Sequence, residues 1–491
     1  MAQNRFRELR WESVEEIAKS NAAEAAARGE LEALGPTEAA AENPLTELLR
    51  RTGVPRHPDP DATVRDEAEF LLQAASEVEH QFIVQYLYAL FGLDLAAGGA
   101  VAAKCRTHLE AIAEEEMGHL LTVQNVLLLI DAPPYLERER TPSTEPQPFP
   151  FELEPPSLSF VSRFLVAESP VDAVLPDDLG KLKEKMEHVG VLYAMLYWLF
   201  QDSDAPQAPW LLPPLPFPSG RHLKPEDYND DAATVKNLLN RAGDWGAALG
   251  GVHVLPPQTA ALNTPAQMAD AARRALFDVA LQGEGPTGAD PGQPKETSHY
   301  HRLLGLYESI KGAGASFKLA LDVPINPHTK PAGTDDHEAE SGLITDGQAL
   351  LHARLFDLRY SMLLLEIFLS VTIPRTKVVG GTPVRRTLSR RALSVEMATG
   401  IGALSRRLVR LPLKASQGGI APPFAGAPYG LPASLFPEDE RAGWQSLLRL
   451  IDESAAVIAE AGTGAGPEME RLREEDETFR TFVQARIDEF D

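Results

Sequence analysis

Glu116 and His119 are the residues whose types and spacing most clearly suggest chemistry in this chain. They lie one helical turn apart in the apolar stretch 109–130, where apolar residues recur at helical spacing. The same face carries Leu109, Ile112, Val123 and Leu127. The pattern therefore predicts that a carboxyl and an imidazole face the core. Because a buried charge without a partner costs several kcal/mol, protonation, ion pairing or a metal ion must neutralise this pair.

Three further residues are candidates for the same site. Glu79 shares a predicted helix face with apolar and aromatic residues, whereas Glu77 falls on a more polar face. Glu284 follows a predicted helix in QGEGP, and His299 follows a Gly/Pro-rich loop in SHY. Each has a simpler interpretation, with Glu79 at the surface, Glu284 in a loop and His299 in packing. Four other polar residues stay outside the candidate set: Glu114, Glu115, His301 and Arg302. The two glutamates among these four are expected to be solvated.

The helices that would position these residues follow from apolar periodicity and from Pro and Gly. The sequence predicts four long helices, over residues 64–94, 101–131, 177–200 and 264–283. A Pro-rich crossover up to Pro170 separates the second from the third. An inward Glu-x-x-His pair in this order of helices is typical of di-iron carboxylate bundles, although a buried Glu–His ion pair without metal is the alternative. We therefore expect an all-α fold built on a ferritin-like four-helix bundle, with additional C-terminal helices and long Pro/Gly-rich loops.

Composition divides the chain into three predicted regions. Residues 1–60 are rich in Ala and Glu with scattered Pro, which predicts a partly ordered N-terminal extension with little core. Residues 61–310 are predicted to form the metal-binding bundle, and residues 311–491 a helical region packed on it. The further helices are expected at residues 298–310, 347–372, 388–412, 438–462 and 467–490. Almost no strand alternation is present.

Net charge and cysteine content exclude several classes of protein. The 46 Lys and Arg residues against 71 Asp and Glu residues give a formal charge of -25, which argues against nucleic acid or an anionic membrane as a partner. The single cysteine, Cys105, excludes an intramolecular disulfide and a multi-thiolate site, so any metal must be held by Glu, Asp and His. With a charged N-terminus and no apolar run long enough to span a bilayer, we expect a soluble cytoplasmic protein.

An ordered set of sequence patterns resembles one enzyme family. The segments AASEVEHQFIVQYLYALFGL and IAEEEMGHLLTVQNVLLLI, followed by QGEG and SHY, are similar to the ferritin-like domain of the iminophenylpyruvate dimer synthases. That family includes the imine-coupling enzyme of violacein biosynthesis and the chromopyrrolate synthases of the indolocarbazole pathways. The resemblance continues through LRYSMLLLEI and MATGIGALSRRLVRLPL and covers about residues 65–430.

The resemblance implies an iron site with the ligands Glu79, Glu116, His119, Glu284 and His299. The third helix departs from the family, which tends to have an IGEFY-like string where this chain has VGVLY. Val191 therefore stands at an expected carboxylate position, and Glu187, one turn earlier, is the candidate replacement ligand. Because three carboxylates do not neutralise two ferrous ions, we hypothesise either an open coordination position for substrate or a single iron.

The function implied is that of a non-haem iron oxidoreductase or oxygenase of secondary metabolism, acting on an amino-acid-derived imine or a related small molecule. The implied cofactors are one or two Fe2+ ions, with manganese as the alternative metal, and O2 as co-substrate. No catalytic side chain beyond the metal ligands and no organic cofactor site is predicted. Besides the small-molecule substrate, the expected partner is a second copy of the chain or an upstream biosynthetic enzyme. The alternative function is a catalytically silent accessory or binding protein whose polar network holds no metal.

Overall fold

The computed structural model of the chain is built mainly from helices. It describes residues 5–27, 44–139, 151–170, 173–183, 189–205, 207, 216–245, 262–284, 298–314, 316–330, 340–415 and 422–491. Within these ranges the strands form two short antiparallel pairs, so the predicted all-α class is confirmed. None of the described helices has both the length and the apolarity needed to cross a membrane.

The elements of the N-terminal and central parts are α1 (Arg5–Glu8), β1 (Arg10–Glu12), α2 (Val14–Ala27), α3 (Pro44–Thr52), β2 (Val54–Arg56), α4 (Val64–Phe91), α5 (Leu95–Leu129), α6 (Leu158–Ala167), α7 (Gly180–Lys183), α8 (Val189–Leu199), α9 (Ala232–Leu238), α10 (Ala242–Trp245), α11 (Pro265–Val279) and α12 (His299–Ala313). A π-helical segment, Ala280–Glu284, continues α11. Strand β1 pairs with β2.

The C-terminal elements are α13 (Gly347–Thr372), β3 (Val378–Val379), β4 (Thr382–Pro383), α14 (Val384–Arg391), α15 (Leu404–Leu408), α16 (Glu440–Ala461) and α17 (Pro467–Ile487). Strand β3 pairs with β4. A second π-helical segment, Ala392–Ala403, joins α14 to α15, so the single helix expected over residues 388–412 is divided between three elements. Helices α13, α16 and α17 lie close to their predicted bounds.

Side-chain caps define the start of the two long helices that carry the best candidate residues. At the start of α4, the Thr63 side chain accepts from the Asp66 amide, and the Asp66 carboxylate accepts from the Thr63 amide. Asp94 caps α5 by accepting from the Ala97 amide, which lets this helix begin earlier than predicted. Gly99, with φ 50°, then bends α5 without steric cost.

Four helices form the bundle, and a further helix pair lies beside it. Helix α4 packs along α5, α8 contacts α4 and α11, and α11 contacts α5, which matches the four helices expected from the sequence. Between the second and third of these, α6 packs against α12, and α12 packs against α5. Helix α6 was not predicted because the Pro-rich composition around it suggested only a crossover. Helix α6 therefore places part of the predicted crossover against α12 and, through α12, beside the bundle.

A buried charge cluster fastens the C-terminal helices to one another. Arg359 and Glu366 come from α13, Arg391 from α14, Glu396 from the second π-helical segment and Asp476 from α17. Arg391 Nε lies 2.9 Å from Glu366 Oε1, and Arg391 Nη2 lies 2.6 Å from Asp476 Oδ1. Arg359 binds both Glu396 and Asp476. Two guanidinium groups therefore face three carboxyl groups in the protein interior.

The N-terminal segment contributes to the core more than its composition suggested. In its described parts, Phe6, Ile17, Leu49 and Val54 are buried against the rest of the molecule. Helix α1 also packs against α4. The scattered apolar residues in this Ala/Glu-rich region are therefore used in tertiary packing.

Candidate metal centre

Five fully buried side chains converge beside the bundle helices. Glu79 comes from α4, Glu116 and His119 from α5, Glu168 from the residue after α6, and His299 from the first position of α12. The structure thus brings together four of the residues proposed from the sequence. Glu168 is a fifth, which the sequence argument did not identify.

The first half-site consists of Glu79, Glu116 and His119. One ligand atom from each of the three lies within 4.8 Å of the others. His119 Nδ1 is 2.8 Å from Glu116 Oε2 and 3.4 Å from Glu79 Oε2. This is the inward Glu-x-x-His pair expected from α5, joined by the carboxylate expected from α4.

The second half-site consists of Glu116, Glu168 and His299, whose ligand atoms also lie within 4.8 Å of one another. His299 Nδ1 is 2.8 Å from Glu168 Oε2 and 3.2 Å from Glu116 Oε1. The two oxygens of Glu116 therefore face different half-sites. With the His119 and His299 ring centroids 5.5 Å apart, Glu116 is placed as a bridge between two groups of ligands.

Two tyrosines hold the carboxylates that are not shared between the half-sites. The Tyr193 hydroxyl, from α8, donates to Glu79, and the Tyr86 hydroxyl, from α4, donates to Glu168. Both tyrosine side chains are fully buried. Each hydroxyl occupies one oxygen of its carboxylate and leaves the other oxygen, Oε2, toward the half-site. Hydrogen bonds of this kind orient ligating carboxylates.

Each imidazole is held in the same way through its outer nitrogen. His119 Nε2 lies 2.9 Å from Gln282 Oε1, and His299 Nε2 lies 2.9 Å from Glu115 Oε2. Arg302 pairs with both oxygens of Glu115, at 2.6 and 2.9 Å. The expectation that Glu115 is solvated is therefore wrong: its side chain is only 16% exposed, because α12 packs against this part of α5.

This arrangement leaves each Nδ1 facing carboxylate oxygens. The N–H group at Nε2 of His299 donates a hydrogen bond to the Glu115 carboxylate. In a neutral ring Nδ1 therefore carries no proton and is an acceptor. An acceptor placed 2.8 Å from Glu168 Oε2 requires a cation between the two atoms, either a proton or a metal ion. The same argument applies to His119, with Gln282 as the outer acceptor.

The electrostatics of the five groups follow from burial and proximity. Burial, together with the charge of Glu116, raises the pKa of Glu79 to about 7. Burial opposes protonation of His119, but Glu116 and Glu79 outweigh it and raise the pKa of His119 to about 10. Against the same opposition from burial, Glu168 and Glu116 raise the pKa of His299 well above its usual value. Protons on the two imidazoles thus compensate the carboxylates, and metal binding would release them.

Several buried atoms of the five ligands lack a hydrogen bond of good geometry. Within the described residues these are Glu79 Oε2, Glu116 Oε1, Glu168 Oε2 and His299 Nδ1, although His299 Nδ1 lies close to both Glu116 and Glu168. Such atoms are rare in native proteins unless an ion or water satisfies them. Carboxylate oxygens and imidazole nitrogens suit iron and manganese, so the residues present fit a pair of such ions.

Gly283, in the π-helical segment, leaves space beside the second half-site. A Cβ at this position would lie 2.8 Å from His299 Nδ1 and 3.4 Å from Glu168 Oε2. Only glycine therefore allows the backbone to pass this close to the two ligands. A π-helical turn at this point agrees with the frequent occurrence of such turns at functional sites.

The remaining sequence expectations have different outcomes. Glu284 ends the π-helical segment, but its side chain lies outside the described residues, as does all of Glu187. Val191 is buried in the apolar α8 and belongs to neither half-site. Glu168, which follows α6, supplies a carboxylate to the centre from a part of the chain other than the third helix.

The sequence does contain a pattern that predicts a helix ending at Glu168. Phe160, Phe164 and Glu168 lie four residues apart, and Ser157 caps the helix by accepting from the Phe160 amide. Tyr86 packs on Phe164 with ring centroids 4.4 Å apart, which fixes the end of α6 beside the centre. The neighbouring prolines concealed this short helical pattern.

Comparison with known proteins agrees with the geometry. Residues 72–207 match the family model described as Ferritin-like, so the chain contains a ferritin-like domain. The matched range includes Glu79, Glu116, His119 and Glu168, whereas His299 lies beyond it. Searches of curated proteins and of solved structures gave no match.

Proposed function

We propose that this protein is a non-haem oxidoreductase with a dinuclear iron centre, for which manganese is the alternative metal. The observation that carries the proposal is the position of Glu116, whose two oxygens face two separate groups of ligands. Glu79 and His119 would hold one ion, Glu168 and His299 the other, and Glu116 both. The geometry favours two ions over the single iron considered from the sequence.

Bound iron would supply reaction with O2 and one-electron redox chemistry, which no side chain in the centre supplies. The protein contributes orientation and exclusion of water. Tyr193 and Tyr86 fix the outer carboxylates, and Glu115 and Gln282 fix the imidazoles. All five ligands are fully buried, which keeps bulk water from the centre. We infer no additional catalytic side chain.

The substrate class that we propose is an amino-acid-derived imine or a related small molecule of secondary metabolism. Support comes from the resemblance of the α4, α5, QGEG and SHY patterns to the iminophenylpyruvate dimer synthases. The proposal covers both the oxidative dimerisation of that family and a different oxidation of the same substrate class. The reaction would require a substrate supplied by an amino-acid-oxidising enzyme, and a second copy of the chain or that enzyme is the proposed protein partner.

Metal reconstitution tests the proposal. The protein is loaded with Fe2+ without oxygen, desalted and measured for iron per chain, and O2 consumption and the optical spectrum follow on exposure to air. We expect two iron ions per chain in the unmodified protein and loss of both binding and O2 consumption in Glu116→Ala/His119→Ala. Glu114→Ala, an exposed change on the same helix, is the matched control and should behave as the unmodified protein.

Two results would overturn the proposal. Unchanged iron binding and O2 consumption in Glu116→Ala/His119→Ala would leave the metal-free accessory function as the better explanation. One iron per chain in the unmodified protein, with no further uptake at excess Fe2+, would exclude the dinuclear centre.

A further inference from the structure

A cavity lies between the bundle and the C-terminal helices, and none of the five ligands of the metal centre lines it. It encloses about 610 Å³, including the part open to solvent, and is lined from α4, α5, α10, α13 and the second π-helical segment. His80 and Met117 line it, and they directly follow the ligands Glu79 and Glu116. Because one residue corresponds to a rotation of about 100° around a helix, the cavity uses a different face of α4 and α5 from the metal centre.

The lining side chains described by the structure include none with a formal charge. His80 Nδ1 lies 2.9 Å from the Leu136 carbonyl and donates to it, so Nε2 accepts from the Tyr360 hydroxyl at 2.6 Å. Arg138 Nε in turn donates to that hydroxyl at 2.9 Å. His80, Tyr360 and Arg138 therefore satisfy one another, whereas Trp245 Nε1, also in the wall, is buried without a hydrogen-bond partner among the described residues.

One wall residue is held in an uncommon backbone conformation. Tyr429 has φ 49°, in the left-handed region that non-glycine residues rarely adopt. Its carbonyl accepts from Arg138, and the amide of the same peptide bond, on Gly430, donates to Asp357 Oδ1 at 2.6 Å. The buried Arg138 and the half-buried Asp357 thus clamp one peptide plane. Strain that the surroundings enforce in this way is typical of ligand-binding sites.

We propose that this cavity is a second binding site, which takes a neutral, mainly apolar molecule with one or two aromatic ring systems. The rings of Trp245, Tyr360 and Tyr429 and the thioethers of Met117 and Met397 favour aromatic ligands. A charged ligand would lose its hydration without gaining a counter-charge. The inference does not depend on the metal centre.

Fluorescence titration of the full chain with N-phenyl-1-naphthylamine, a neutral apolar probe, tests the proposal. We expect saturable binding of one probe per chain. Leu393→Trp and Met397→Trp fill the cavity from half-buried positions in its wall and should each weaken binding by at least about tenfold. Leu448→Trp makes the same change at a half-buried leucine of α16 outside the cavity, and should bind as the unmodified protein.

Competition defines the ligand class. We expect neutral 2-naphthamide to displace the probe at a concentration at least about tenfold lower than anionic 2-naphthoate. Glu116→Ala/His119→Ala should retain probe binding, which separates this site from the metal centre. Absence of saturable binding, or unchanged binding in both filling variants, would overturn the site. Equal displacement by naphthoate would overturn the proposed ligand class.

Discussion

Gly283→Ala is expected to remove metal from the second half-site alone. The added Cβ would lie 2.8 Å from His299 Nδ1, whereas ordinary contact between such atoms begins near 3.5 Å. The imidazole must therefore move by about 0.7 Å, or the π-helical turn must move with it. Metal–ligand distances tolerate only about 0.2 Å, so the change exceeds what coordination allows.

The expected result is a fall from two to about one iron per chain, or a loss of affinity of about 10- to 100-fold at the weaker position. Anaerobic calorimetric titration with Fe2+ and iron analysis after desalting measure the two quantities. Gly312→Ala is the matched control, because Gly312 lies on α12 with no atom within 4 Å of the added Cβ. Binding of two ions by Gly283→Ala with unchanged affinity would refute the reasoning.

Three further changes test the centre and the buried charge cluster. Glu168→Gln removes one negative ligand at constant size and should leave about one iron per chain in the same analysis. Tyr193→Phe removes the hydrogen bond to Glu79 and should weaken iron binding about 10- to 100-fold in the calorimetric titration, with unchanged far-ultraviolet circular dichroism. Burial and the neighbouring carboxylate raise the pKa of Glu366 well above 4.5, so the folded state retains a proton that the unfolded state loses, and stability falls as pH rises above 4.5. Glu366→Gln should therefore increase the free energy of unfolding in urea by about 1–3 kcal/mol at pH 8 but change it little at pH 4. The exposed control Glu453→Gln should change it little at either pH. An equal effect of Glu366→Gln at both pH values would contradict the raised pKa of Glu366.

The sequence was sufficient where local pattern and tertiary environment agree. Glu116 and His119 are three residues apart on a helix, so their convergence follows from helix geometry alone. Glu79 was harder to assign, because α4 is buried on nearly all sides. Glu77, assigned to the polar face, is buried as well: it accepts from the Tyr135 hydroxyl at 2.7 Å, and burial raises its pKa to about 8. Helical periodicity identifies an inward face only when another face meets solvent.

Contacts between distant segments were beyond the reach of sequence patterns. Glu168 joins the centre because α6 packs against α12, whose first residue is His299, more than a hundred positions along the chain. The bond between His299 and Glu115 depends on the same packing. No local periodicity records such an approach, since the energy that fixes it comes from burial of two separate apolar faces. The resemblance to a known family indicated His299. It also indicated that a further carboxylate would come from the third helix, whereas Glu168 comes from the segment after α6.

The balance of charge at the centre differs between its metal-free and metal-bound states. With metal absent, protons on His119 and His299 offset two of the three negative charges available from Glu79, Glu116 and Glu168. Burial raises the pKa of Glu79 and Glu168, so a third proton on one of these carboxyls makes the group neutral. Two divalent ions would replace those protons and, against these three described carboxylates, leave one excess positive charge in a fully buried site. Because burial of a net charge is unfavourable, the loaded centre should recruit an anion, either hydroxide or an anionic group of the substrate.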